Sequence, residues 1–319
     1  MRSLSLLFVF MIQSFYLSAQ QDTTIVFLDR DDKPSSERLA TKYAVIVQEN
    51  NHWKKVVFDI ADDKPMYGAY YSDEACTQHA GPYTAFNKQN KVSRKGRYAN
   101  NKKTGVWLAY TDEGKVFDSA YYKDGCIYGL SLTWHNNGNV HDSLLFEDNG
   151  NGTGSSYWPD GNPKGSGKFV SGKKHGIWTY HYKNGAKCQE VNYAADSALA
   201  YTCYDEKGKI QTKDCIFEKE ASFRGGEKAW VKYLSGKLST ARLPKAYYDG
   251  KLYGTIYIAF IVDAEGKVTG VKAINSIDPE LDEVAMKIIS QSPRWEAAVQ
   301  YNRNVNAYRR QPLTFARVE

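Results

Sequence analysis

Along the last hundred residues the apolar positions fall first at period two and then at helical spacing. Ile256, Ile258, Phe260 and Val262 alternate with their neighbours, so Gly254–Val262 is predicted to be a strand with one buried face. Asp263-Ala264-Glu265-Gly266-Lys267 follows as a turn in which Gly266 supplies the positive φ of a short hairpin with a bulge, and residues 268–274 form the returning strand. Asp278-Pro279-Glu280 marks a helix start. Asp278 can accept from a first-turn amide, Pro279 lacks only a hydrogen the helix would leave unpaired, and Glu280 suits the positive helix end. Leu281, Val284, Ala285, Ile288 and Ile289 then make a single apolar stripe, Pro293 stops the helix and Trp295 follows as an anchor. Residues 305–315 supply a third strand, with Pro312 restricting it to a sheet edge. The expectation is a small α+β module, a three-stranded antiparallel sheet crossed by one helix.

The preceding two thirds are patterned differently. Glycine recurs at Gly81, Gly105, Gly129, Gly152 and Gly176, and Gly114, Gly138, Gly161 and Gly185 stand nine residues after the last four, a repeat of 23 to 24 residues. Asn90, which tolerates positive φ, replaces the second glycine of the first unit, and a sixth unit follows from Tyr201 to Gly208. Phe86, Tyr110, Trp134, Tyr157 and His181 put a ring between the paired positions. This period accommodates two strands of about seven residues and two turns, so each unit is expected to be one β-hairpin with its glycines at the turns. Stacked hairpins let the tyrosines and tryptophans bury one another in an elongated meander.

Two resemblances follow from these residues. Phe223-Arg224-Gly225-Gly226, Leu243-Pro244, GTIYIAFIVDAEGKV, Leu281-Asp282-Glu283-Val284-Ala285, Pro293-Arg294-Trp295 and Pro312-Leu313-Thr314-Phe315 resemble the C-terminal domain of the TonB family, periplasmic proteins that touch outer-membrane transporters. Ala297 and the segment NRNV depart from the family's usual prolines, which bears on loop shape. GVWLAYTDEGKV and GIWTYHYKNGAK resemble MORN-type repeats of the longer bacterial variety. The expected fold is mostly β: an elongated antiparallel β-hairpin, MORN-like repeat meander followed by a small α+β, TonB-like C-terminal domain. The expected organisation is a signal peptide over 1–19, a leading β segment over 20–59, repeats over 60–215 and the TonB-like domain over 216–319.

The signal peptide rests on Arg2, an apolar stretch from Leu4 to Leu17 and the small residues of Leu17-Ser18-Ala19. Fourteen residues span about 21 Å as a helix, short of a hydrocarbon core of about 30 Å, which favours export with cleavage over an inner-membrane anchor. A net charge of +6 is mild, with 16 basic against 12 acidic side chains after residue 215, and no nucleic-acid-binding motif accompanies it. Arg303, Arg309 and Arg310 gather in the region assigned to the final strand. Cys76, Cys126, Cys188, Cys203 and Cys215 are odd in number; one disulfide among the last three is expected, and their spacing is not that of a zinc site. The six histidines mostly take turn or repeat positions, and HExxH, GxSxG and Walker motifs are absent, so no catalytic residue, metal ligand or cofactor is assigned.

These features point to a periplasmic binding or adaptor protein. The TonB resemblance implies recognition of an extended segment, from an outer-membrane transporter or another envelope protein, by strand addition to an exposed sheet edge. Val305, Tyr308, Arg309, Arg310 and Leu313 are the candidate partner-binding residues. Two alternatives stand beside this reading. One is a membrane-anchored energy transducer working with inner-membrane motor proteins, and the other is a structural repeat scaffold.

Overall fold

The computed structural model describes residues 23–317; the predicted signal peptide lies outside them. The protein is mostly β, an antiparallel hairpin sheet followed by a small α+β domain. It divides into two compact units, the first ending at Ser131 and the second beginning at Leu132.

The first unit is a meander of β1 (Thr23–Leu28), β2 (Lys42–Glu49), β3 (His52–Asp59), β4 (Pro65–Tyr71), β5 (His79–Phe86), β6 (Val92–Ala99), β7 (Lys102–Tyr110) and β8 (Val116–Lys123), each paired antiparallel with the next. A ninth strand, β9 (Cys126–Trp134), carries the chain into the second unit. There β10 (Val140–Phe146), β11 (Gly152–Tyr157), β12 (Pro163–Val170), β13 (Lys173–His181), β14 (Lys187–Ala194), β15 (Ser197–Tyr204) and β16 (Ile210–Gln211) continue the pattern.

Only half of the repeat glycines make turns. Gly114, Gly138, Gly161 and Gly185, with φ between 83° and 89°, each close a turn by donating to the residue three before, as Gly114 does to Thr111. Gly105, Gly129 and Gly176 instead lie inside strands with φ of 63° to 67°, and Gly152 opens β11 without a positive φ. Register shifts beside Gly105 and Gly176 show why: three residues, Gly105 to Trp107, face Gly96 alone, and Gly176 to Trp178 face Gly167 alone, a bulge that demands the same left-handed backbone as a turn. The other hairpin ends are built from pairs such as Asn100-Asn101 and Ala195-Asp196.

In the second unit the C-terminal domain follows β16. It contains β17 (Glu218–Lys219), α1 (Gly226–Thr240), α2 (Lys245–Tyr248), β18 (Gly254–Val262), β19 (Val268–Ala273), α3 (Pro279–Ser290), β20 (Ala298–Gln300), β21 (Arg303–Val305) and β22 (Ala307–Phe315). The strands form two sheets, β19-β18-β22 and the smaller β17-β20-β21. Asp278 caps α3 through bonds from the amides of Glu280 and Leu281, and Leu281, Ala285, Ile288 and Ile289 are buried against Ile256, Ile258, Phe260 and Val262.

Tyr301 and Asn302, both at positive φ, form the tip of the β20–β21 hairpin, which is inserted among the repeat strands of this unit. Tyr301 stacks on Tyr180 at 3.6 Å and 6°. The amide of Asn302 donates to Tyr182 Oη, Tyr204 O and Gln211 Oε1. Arg303, expected on the final strand, sits on β21 at 7% exposure and donates to the carbonyls of Lys164 and His181. Burial holds its guanidinium below the usual arginine range, and the faces of Trp158, Tyr180 and Tyr301 take the place of a carboxylate partner. The Cys203–Cys215 disulfide ties β15 to the chain entering β17.

Candidate binding edge of the C-terminal sheet

The sheet order leaves β18 in the centre and β19 and β22 at the edges. Which backbone groups of β22 face outward follows from β18. The amide of Tyr257 points away from β22: it donates to Asn275 Oδ1, and the Tyr257 carbonyl accepts from the amide of Ile274, both on the β19 side. The Thr255 carbonyl likewise accepts from Asn275 Nδ2. Residues 255, 257, 259 and 261 therefore occupy the non-hydrogen-bonded pairs of the β18–β22 ladder, opposite Thr314, Pro312, Arg310 and Tyr308. The close approach of Thr255 Oγ1 to Thr314 Oγ1, at 2.9 Å, is the side-chain signature of such a pair.

It follows that the amides and carbonyls of Tyr308, Arg310 and Thr314 point away from the sheet. Among the described residues they meet no backbone partner. Pro312 falls in the same set, which explains its tolerance: the position needs no hydrogen for the ladder. Its carbonyl accepts from Gln311 Nε2.

Side chains divide by the same alternation. Tyr308 is 84% exposed, and Arg310 lies beside it on the open face with its guanidinium 4.0 Å from the centre of the Tyr257 ring. Arg309, Gln311, Leu313 and Phe315 take the opposite face. Leu313, expected to contact a partner, is buried in the core at 3% exposure, so it anchors the strand. Arg309 is tied within the domain, donating to the Ala221 carbonyl and pairing with Glu220 at 3.0 Å. Val305 belongs to β21, where it pairs with Ala298, so it lies off the final strand altogether. The structure thus keeps Tyr308 and Arg310 together on one face, places Arg309 on the other, and separates Val305 and Leu313 from the edge surface.

Beside the core-side face of β22 lies a cleft of about 370 Å³. Its walls are the rings of Phe223, Trp230, Phe260 and Trp295, with Arg309 and Gln311 along the strand. Trp230 and Trp295 meet at 4.9 Å and 64°, and Phe223 and Trp230 at 5.0 Å. Trp230 Nε1 donates to Gln311 Oε1 at 2.7 Å, fixing the indole against the strand. Trp230 comes from α1, a helix absent from the expected module. Its entry, Gly225-Gly226, has no capping side chain, yet Trp230, Tyr233, Leu234 and Leu238 fall on one helical face and carry the signal.

Among the described residues no helix is long and apolar enough to cross a membrane, and no group of three or more His, Cys, Asp or Glu side chains is placed to hold a metal ion. Residues 241–316 match the sequence model of the family described as Gram-negative bacterial TonB protein C-terminal. The match spans the three-stranded sheet and α3 but begins after α1. No curated protein matches the chain significantly.

Proposed function

We propose that this protein is a non-enzymatic periplasmic adaptor that binds an extended segment of an envelope partner, an outer-membrane transporter above all, by adding it as a strand to the outer edge of β22. The observation that carries this reading is the outward set of backbone groups on Tyr308, Arg310 and Thr314, an unpaired ladder. The match to the TonB C-terminal family supports an envelope role and this kind of partner. An added strand would send alternate side chains to opposite faces. One set would meet the aromatic cleft of Phe223, Trp230 and Trp295, and the other Tyr308, Arg310 and Tyr257. Apolar or aromatic residues suit the first, and acidic or aromatic residues the second.

The test is titration of the full chain with peptides from transporter plug domains. Tyr308→Pro deletes an outward donor without touching the β18 ladder and is expected to abolish binding. Arg310→Ala is expected to weaken binding and flatten its salt dependence. Parent-like binding by Tyr308→Pro contradicts the proposal.

A further inference from the structure

The two units contain the same local construction 71 residues apart. In the first, Trp107 lies flat over Gly96, where a Cβ would come within 2.2 Å of the indole, and its Nε1 donates to Arg97 O at 3.1 Å. In the second, Trp178 covers Gly167 with a Cβ distance of 2.3 Å and donates to Lys168 O at 2.9 Å. Lys103 Nζ stands 4.5 Å from the centre of Trp107 and 4.9 Å from that of Tyr122; Lys174 Nζ stands 4.5 Å from Trp178 and 5.3 Å from Tyr193. A lysine over a tryptophan and a tyrosine is thus built twice.

The copies differ two residues after the tryptophan. In the second unit Tyr180 fills that place, pairing with Gly165 and lying over it. Tyr301 from the β20–β21 turn stacks on Tyr180, and Lys174 Nζ donates to both hydroxyls, at 3.0 Å and 3.4 Å. In the first unit the corresponding pair is Arg94 and Ala109. No ring fills the place, and a cavity of about 90 Å³ opens between Arg94, Lys103, Trp107, Ala109, Asp118 and Tyr122. On this measure one water needs only about 10–15 Å³. Lys103 Nζ has no hydrogen-bond acceptor among the described residues, and two cations outnumber the single carboxylate.

We propose that this cavity binds a phenol ring, seated against Trp107 with its hydroxyl accepting from Lys103, as the rings of Tyr180 and Tyr301 accept from Lys174 in the second unit. The ring can be a tyrosine on a partner's turn or a free phenolic molecule. Burial, with the Arg94 charge adding to it, already holds the Lys103 ammonium below its usual range, so an acceptor oxygen relieves a strained cation. The site is remote in sequence from the strand edge of β22 and does not depend on its function.

The experiment is ¹⁹F NMR titration of the full chain with 4-fluorophenol and, separately, fluorobenzene. 4-Fluorophenol is expected to bind saturably, with fluorobenzene about tenfold weaker for want of one charge-assisted hydrogen bond. Lys103→Met is expected to remove that preference, and Ala109→Phe, which puts a ring in the cavity, to remove binding. Melting curves identify any variant that fails to fold, and Lys103→Met, which changes a partly exposed side chain, then carries the test alone. A cyclised peptide copying residues 298–305 decides the source: tighter binding than 4-fluorophenol assigns the site to a tyrosine on a turn, weaker binding to a small molecule. Equal affinity for the two fluoroarenes, binding untouched by Lys103→Met, or no saturation by about 10 mM, the weak end of specific small-ligand affinity, overturns the proposal.

Discussion

Gly167→Ala is expected to be among the most damaging single-methyl changes this chain can accept. Gly167 has no positive φ, so backbone strain is not involved; the added Cβ would stand 2.3 Å to 2.5 Å from three atoms of the Trp178 indole. The ring must lift by an ångström or more. Trp178 is 6% exposed, and a tryptophan buries about 150–250 Å², worth about 4–6 kcal/mol at about 25 cal/mol per Å². Losing roughly half of that, together with the Nε1 bond to Lys168 O at about 1 kcal/mol, gives a loss of about 3–4 kcal/mol. The matched control is Gly176→Ala on β13, where φ is 67° and nothing lies within 4 Å of the new Cβ; only strain of about 1–2 kcal/mol applies. Urea unfolding of the full chain, followed by tryptophan fluorescence and by amide exchange in β12 to β14, measures both. If Gly167→Ala costs no more than Gly176→Ala, the tryptophan-over-glycine contact does not hold the repeat together.

The cysteines should separate by environment. Exposed Cys126 is expected to alkylate in the native protein, whereas buried Cys188, whose thiol burial pushes up to about 11, reacts only after unfolding; peptide mapping without reductant should recover Cys203 joined to Cys215. Replacing Cys203 and Cys215 by serine is expected to lower stability by about 2–3 kcal/mol, the amount for a loop of this length, read from urea midpoints. Burial lowers the pKa of His79 and His181 below 6.5, so the unfolded chain takes up protons first as pH falls. Their contribution is complete above pH 6.5 and declines between 6.5 and the lowered folded values; melting curves across this window should flatten when both are changed to Gln.

The sequence pattern located some elements to the residue and missed others for definite reasons. β18 and the Asp278-capped helix were legible because alternation, a cap and a stripe are local signals. α1 was not, since a glycine pair replaces its cap and Gly236, the serines and Thr240 lower its helix propensity, although its apolar face is intact. The glycines marked positive φ correctly at Gly105 and Gly176 but not its use, because a bulge and a turn ask the same of the backbone. At the candidate site, Tyr308 and Arg310 share an outward face, whereas Arg309 and Leu313 are of the other parity; the apolar pair Leu313 and Phe315 carried that information. Val305 could not have been placed from sequence, since its assignment to a second sheet depends on Ala298, a partner with no local link to it. The insertion of Tyr301, Asn302 and Arg303 among repeat strands was hidden for the same reason.

Amide hydrogen exchange on the full chain, with and without a transporter plug peptide, tests strand addition most directly. In the free protein the amides of Arg309 and Gln311 should already be protected by β18, while those of Tyr308, Arg310 and Thr314 exchange as open-edge amides. Peptide binding should slow Tyr308 and Arg310 by about tenfold or more, as expected for amides newly paired in a ladder, and leave Arg309 and Gln311 little changed. Protection that appears on β19 or the repeat strands instead, or no change at Tyr308 and Arg310 at saturating peptide, would contradict it.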